Sequence, residues 1–138
     1  KAMAHITSDD EIKQLLADAQ TVAVVGHSDK PNRTSYQIAA YLRRAGYTVY
    51  PVNPTVTTID GERSYAGLAD LPVTPDIVNV FRRAEHLAGV VQDAKAINAP
   101  LVWGQLGVMS DAAAAAAHDI ALVMDRCIKV EHLRLLGR

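Results

Sequence analysis

This chain of 138 residues has a single cysteine and no long apolar run. One cysteine, Cys127, excludes an internal disulfide and a zinc site built from several cysteines, and it suits a reducing compartment. No apolar run approaches the ~20 residues that a membrane helix needs, and the first residues are too polar for a secretory signal. We therefore expect a cytoplasmic location and no membrane partner.

Net charge is also nearly absent from the sequence. The 14 basic residues almost balance the 15 acidic ones, which leaves a formal charge of −1. A chain with this balance does not attract nucleic acid or an anionic surface through its overall field. We therefore expect no nucleic-acid partner, and any site for an anion must be local.

The sequence does contain a regular alternation of predicted strands and helices. Short β-branched runs alternate with stretches whose apolar residues recur at helical spacing. The predicted strands span residues 21–25, 47–54, 76–81, 100–104 and 120–124. The predicted helices span residues 9–19, 35–45, 84–98, 111–118 and 128–136, and the loop 55–75 contains one short turn at 68–71. The pattern predicts an α/β fold with a five-stranded parallel sheet, as one domain over 1–138 with a flexible tail at 1–7.

The turn after the first strand has the features of a phosphate-binding loop. Gly26 allows a tight turn, Ser28 offers a hydroxyl, and the helix starting near Ser35 presents unpaired backbone N–H groups. Lys30 and Arg33 add positive charge to the same turn. These residues predict a site for a phosphate group.

The turn nevertheless departs from the dinucleotide fingerprint. The fingerprint G-x-G-x-x-G is reduced to Gly26 followed by His27 and Ser28, and the P-loop pattern is absent. The second strand ends in Asn53 and Pro54, with no carboxylate to accept hydrogen bonds from a ribose diol. This weakens the case for NAD and leaves room for a phosphorylated ribose.

Basic residues follow several of the predicted strands. They are Lys30, Arg33, Arg82, Arg83 and Arg126. Because the carboxyl ends of parallel strands share one edge of the sheet, we expect these side chains to gather there. This edge is predicted to bind a ligand with several phosphates.

Several separated motifs resemble those of one family. They are VVG at 24–26, PVNP at 51–54, LADLP at 68–72, FRR at 81–83, QLG at 105–107 and MDRC at 124–127. Together they are similar to the small stand-alone coenzyme A-binding proteins, which resemble the coenzyme A (CoA) binding domain of the succinyl-CoA synthetase alpha subunit. The resemblance runs from about Ser8 to Leu133. It implies a three-layer Rossmann-like fold with a five-stranded parallel sheet in the order 3-2-1-4-5, and CoA as the ligand.

The resemblance also implies which residues meet the ligand. Those expected around the pyrophosphate are Gly26, Ser28, Lys30, Arg33 and Ser35. Asn53 and Pro54 would lie beside the adenosine, and Arg82 and Arg83 near its phosphorylated end. Gln105, which follows the fourth strand, would contribute to the same site.

The sequence leaves the roles of two aromatic side chains near this turn undecided. His27 replaces the alanine or leucine of many relatives, and we expect it on the exposed ligand edge as an extra phosphate donor. Tyr36 begins the second helix, where it either covers the ligand or packs against the protein.

For function, the resemblance implies binding of CoA or an acyl-CoA without a reaction. The chain would then be a carrier, a sensor or a partner of an acyl-CoA enzyme. The alternative is an enzyme, either a nucleotide-dependent oxidoreductase or a thiol-exchange enzyme that uses Cys127. Glu131 shares a helix face with Cys127, but His132 lies about 140° away, which argues against a catalytic pair. A third interpretation is a vestigial pocket on an assembly protein, and the sequence shows no metal-ligand spacing.

Overall fold

The computed structural model describes residues 5–137 and shows strands and helices in alternation. The strands are β1 (Thr21–Val25), β2 (Thr48–Val52), β3 (Thr58–Ile59), β4 (Glu62–Arg63), β5 (Ile77–Val80), β6 (Leu101–Gly104) and β7 (Ala121–Val123). The helices are α1 (Asp9–Asp18), α2 (Thr34–Arg44), α3 (Leu87–Ala96), α4 (Asp111–Ala116) and α5 (Ile128–Leu136), with 3₁₀ turns at Leu68–Asp70 and Ala84–His86. No helix between residues 5 and 137 has both the length and the apolar character to span a bilayer.

Five parallel strands form the central sheet, in the order β2-β1-β5-β6-β7. Successive residues of a strand point to opposite faces, so each strand contributes to two cores. Val22 and Val24 of β1 pack with α1, α2 and α5, whereas Ala23 and Val25 pack with α3 and α4. This three-layer α/β arrangement confirms the predicted fold class and the five-stranded parallel sheet.

Numbered by the five predicted strands, the sheet has the order 2-1-3-4-5, whereas the expected order 3-2-1-4-5 places a further strand outside β2. A residue of the long loop takes that outer position. Tyr65 makes an isolated parallel bridge to Val52, and its N–H donates to the carbonyl of Pro51 at 3.0 Å. Counted as the third strand, Tyr65 lies outside β2 and gives the order 3-2-1-4-5-6. The segment at 77–80, numbered third from the sequence, is then the fourth strand, and it pairs with β1 rather than with an edge.

The N-terminal residues differ from the expected flexible tail. Residues 1–4 lie outside the described part of the chain, but His5 bridges in parallel to Leu122, and the N–H of Ile6 donates to the Leu122 carbonyl at 2.7 Å. Ile6 is buried because its side chain packs in the core beneath α1 and α5. From residue 5 onward, the chain therefore lies against the edge strand β7.

Candidate functional site

Gly26 directly follows β1, the strand that lies between β2 and β5 in the sheet. Its φ of 87° favours glycine, and its N–H donates to the Val52 carbonyl at 2.9 Å. A Cβ at this position would lie 2.8 Å from the Phe81 carbonyl oxygen and 3.4 Å from Cγ of Arg82. Only a residue without a side chain lets the backbones of β1 and β5 come this close.

The two serines predicted to contact phosphate also shape the turn. The Ser28 N–H donates to Oγ of Ser35 at 2.9 Å, and the Lys30 N–H donates to Oγ of Ser28 at 3.0 Å. A hydroxyl that accepts one hydrogen bond keeps its own proton as a donor. The half-buried Ser28 therefore retains a donor, whereas Ser35 is buried beneath the turn.

The start of α2 lacks the side-chain groups that usually neutralise a helix N-terminus. Arg33 occupies the N-cap position without a side-chain hydrogen bond, and the first turn has no acidic residue. In contrast, α1 is capped by Ser8 and begins with the acidic residues 9–11. The first N–H groups of α2 have no intrahelical acceptor, so this end of the helix is suited to an anion.

A first pocket of about 250 Å³ opens beside this turn. Its lining residues come from the ends of β1, β2 and β5, from the loop after Tyr65 and from α3. They are Val25, Gly26, Val52, Asn53, Pro54, Thr55, Ala66, Gly67, Leu68, Arg82, Val90 and Asp93. Asn53 fixes one wall, because Nδ2 donates to the His27 carbonyl at 2.8 Å and Oδ1 accepts from the Thr55 N–H at 2.9 Å.

A second pocket of about 400 Å³ lies at the same edge of the sheet and shares one residue, Arg82, with the first. It is lined by Thr34, Ile38, Phe81, Arg82, Gln105, Leu106, Val108 and Cys127. Gln105 is buried, and its Oε1 accepts from the Ile128 N–H at 2.9 Å and from Asn79 Nδ2 at 3.0 Å. Gln105 therefore holds the start of α5 in place as well as lining the pocket.

The structure separates the predicted basic residues into two groups. Lys30, Arg33, Arg82 and Arg83 have exposed side chains that take part in no hydrogen bond or ion pair within residues 5–137, and only Arg82 lines a pocket. Arg126 instead pairs with Glu131 at 2.9 Å and donates to the Thr7 carbonyl at 3.2 Å. Arg126 therefore ties α5 to the N-terminal segment, and its guanidinium is already engaged, unlike those of the other four residues.

His27 is not on the exposed ligand edge. Its side chain is fully buried, so the expected exposed position is wrong. Burial lowers the pKa of His27, although the hydrogen bond to the Ser28 carbonyl raises it. Because a carbonyl only accepts, Nδ1 at 2.8 Å carries the proton, and buried Nε2 is left without a partner among the described residues.

Tyr36 packs against the protein and connects two elements. Its ring meets His27 edge to face at a centroid distance of 6.0 Å, and its hydroxyl donates to the carboxylate of Asp60. That hydrogen bond raises the pKa of Tyr36. Because Asp60 lies in the turn between β3 and β4, Tyr36 fastens this hairpin to α2, and of the two roles left open for it the structure favours packing.

Cys127 is half-buried at the N-cap of α5 and lines the second pocket. The two residues considered as its catalytic partners are engaged elsewhere. Glu131 pairs with Arg126 and with Arg134, at 2.9 and 2.7 Å, and His132 Nδ1 lies 2.6 Å from the Tyr41 hydroxyl. The described residues also contain no cluster of His, Cys, Asp or Glu able to hold a metal ion.

A comparison with known families gives a match that agrees with the fold, the glycine turn and the two pockets. The family model described as "CoA binding domain" matches residues 20–133. The chain belongs to this CoA-binding family. The match confirms the resemblance drawn from the sequence motifs, and it supports CoA binding in general.

Similar proteins cover most of the chain. YneT, an uncharacterized protein of Bacillus subtilis (strain 168), is 39% identical over 127 residues, which cover 91% of this chain and 94% of YneT. The structure of a hypothetical protein from Pyrococcus horikoshii OT3 is 32% identical, with a TM-score of 0.87 and 99% of each chain covered. The similarity to these proteins therefore extends over nearly the whole chain.

A larger enzyme contains a region of similar structure. The dinucleotide forming acetyl-coenzyme A synthetase 1 of Ca. Korarchaeum cryptofilum, in its apo form, is 27% identical with a TM-score of 0.60. The match covers 66% of this chain and 20% of that protein. A fold similar to much of this chain therefore also occurs as a small part of a synthetase.

The sequence did not reveal one wall of the first pocket. Ala66, Gly67, Leu68, Val90 and Asp93 line it, yet none was a predicted site residue. The motif LADLP at 68–72 was a usable signal, because Asp70 turns the chain here by accepting the Gly67 N–H at 3.1 Å. Its position at the site follows from the bridge of Tyr65 to β2, which no local pattern predicts.

Proposed function

We propose that this protein binds CoA or an acyl-CoA at the carboxyl edge of its sheet, as a non-catalytic carrier, sensor or partner of an acyl-CoA enzyme in the cytoplasm. The observation that carries the proposal is the position of Arg82. Its guanidinium has no partner among residues 5–137 and borders both pockets beside Gly26. A ligand spanning the two pockets would therefore place an anionic centre at Arg82, as the pyrophosphate of CoA would.

The remaining basic residues extend this interpretation. The uncapped start of α2 and the donor of Ser28 are suited to the pyrophosphate, with Lys30 and Arg33 adding charge. The apolar walls of the first pocket, including Val52 and Leu68, suit an adenine ring. Arg83, outside both linings, is assigned to the 3′-phosphate of the ribose.

A role in binding alone accounts for the surroundings of Cys127 better than a catalytic role does. The thiol of Cys127 borders the second pocket, but Glu131 is held by two arginines and His132 by Tyr41. A thiol-exchange enzyme would need a base near the sulfur. We therefore rank the enzyme alternative below a binding module.

Calorimetry tests the proposal with four ligands, namely CoA, dephospho-CoA, NAD and ATP. We expect CoA to bind most tightly and removal of the 3′-phosphate to weaken it. Arg82→Ala should weaken CoA binding roughly tenfold or more, since a charge-assisted hydrogen bond contributes about 1.5–3 kcal/mol. Arg44→Ala is the matched control, because Arg44 is exposed at the far end of α2.

Three results would overturn the proposal. The first is tighter binding of NAD than of CoA, and the second is equal affinity for CoA and dephospho-CoA. The third is equal CoA affinity in the Arg82 and Arg44 variants, which would remove Arg82 from the site.

A further inference from the structure

The second pocket is lined mainly by side chains that do not suit a phosphate. Ile38 and Val108 are buried, Phe81 is half-buried, and Leu106 is 68% exposed at the opening. A leucine this exposed beside a pocket leaves apolar surface for a ligand to cover. Among the polar lining residues, Gln105 already accepts two hydrogen bonds through its Oε1. The pocket therefore offers mainly apolar contact.

The second pocket shares one lining residue, Arg82, with the first. Gly26 adds no side chain where its Cβ would meet the Phe81 carbonyl oxygen at 2.8 Å. A ligand whose nucleotide occupies the first pocket can therefore pass Arg82 with its anionic centre and continue into the second. Its remaining part would be uncharged and largely apolar.

We propose that the second pocket receives the pantetheine arm of CoA and brings its sulfur next to Cys127. This inference rests on the proposed function, because it assigns the other end of the same ligand. It predicts that the protein distinguishes CoA from its nucleotide half, and that it is sensitive to the chemical state of the CoA sulfur.

Cys127 provides a chemical measure of where that sulfur lies. With the symmetrical disulfide of CoA, the Cys127 thiolate attacks one sulfur of the disulfide. A new S–S bond joins Cys127 to one CoA, and the second CoA leaves as a thiolate. No outside oxidant is needed, since one disulfide is broken for each disulfide formed.

The first experiment compares affinities for CoA and for adenosine 3′,5′-bisphosphate, the nucleotide half without the arm. Leu106→Glu should weaken CoA about tenfold, by removing apolar contact and adding a negative charge, and leave the bisphosphate unchanged. Met109→Glu is the matched control, because Met109 is 50% exposed in the same loop but does not line the pocket. Equal CoA affinity in the two variants would overturn the inference.

The second experiment follows Cys127 by mass spectrometry in the unmodified protein. We expect CoA disulfide to add one CoA to Cys127 roughly tenfold faster than glutathione disulfide adds glutathione, because binding raises the local concentration of the sulfur. Adenosine 3′,5′-bisphosphate should slow only the CoA reaction, and Cys127→Ser should abolish it. Equal rates for the two disulfides, or no competition, would contradict the assignment.

The two proposals fail in different ways. If neither CoA nor the bisphosphate binds, the proposed function itself is wrong. If both bind with the same affinity, the nucleotide site stands but the second pocket does not hold the arm.

Discussion

Replacement of Gly26 by alanine tests the geometry at the centre of the site. The left-handed φ of 87° costs an alanine about 1–2 kcal/mol. The new Cβ would also lie 2.8 Å from the Phe81 carbonyl oxygen, and such overpacking costs about 1–3 kcal/mol more. Gly26→Ala should therefore lower the free energy of unfolding by about 2–5 kcal/mol. It should also weaken CoA binding, because Phe81 and Arg82 must move away from the pockets.

Gly46→Ala separates the two contributions. Gly46 has a φ of 106°, but a Cβ there would meet nothing within 4 Å. This variant should lose only about 1–2 kcal/mol and bind CoA normally. Urea denaturation followed by circular dichroism gives the unfolding energies, and calorimetry gives the affinities. Equal unfolding energies for the two variants would refute the close approach of β1 and β5.

Three further predictions concern stability. Burial lowers the pKa of His27, so the neutral form is favoured in the folded state and the free energy of unfolding should fall as pH drops below about 6.5. In urea titrations between pH 5 and 7, a His27→Gln variant should show a shallower dependence of this free energy on pH. An unchanged slope would assign the effect to His132, whose pKa burial also lowers. Burial raises the pKa of Asp76, but hydrogen bonds from the Gln20 and Thr21 N–H groups and the Thr21 hydroxyl outweigh it, so the pKa is lowered overall. The stability that this carboxylate provides should be present above about pH 4 and be lost as pH falls further. Asp76→Asn should lower the free energy of unfolding by about 1–2 kcal/mol at neutral pH and make it less sensitive to acid. A variant as acid-sensitive as the parent would contradict the assignment. Glu131→Gln weakens pairs with two partly exposed arginines and should lower the free energy of unfolding, measured by thermal unfolding, by about 1–2 kcal/mol. It should also speed hydrogen exchange at the Ile6 N–H, because Arg126 contacts the N-terminal segment. Unchanged exchange would show that Arg126 holds this segment without Glu131.

Most of the fold could be predicted from the sequence, because its signals are local. The β-branched run at 21–25 coincides with β1, and the periodic segment at 128–136 coincides with α5. Other boundaries moved by a few residues, as at 84–98, where a 3₁₀ turn precedes a shorter α3. Burial on both faces explains why the strands read as continuous apolar runs.

The candidate site was predictable only in outline. The glycine turn, the absence of an acidic residue after β2 and the separated motifs together indicated a CoA-binding family, which the family match confirms. The roles of the individual side chains did not follow, because each depends on a partner distant in the chain. Arg126 pairs with Glu131 and Thr7, and His27 is buried with its ring edge to face with that of Tyr36.

The sequence by itself determined the alternation of elements and the glycine turn, since periodicity and backbone preference act over a few neighbouring residues. Only the tertiary structure decided that Tyr65 returns to pair beside β2 and that Arg82 stands between two pockets. Both features depend on contacts between segments that are far apart in the chain. Such contacts are set by how the layers pack around the sheet, and no local pattern of residues encodes them.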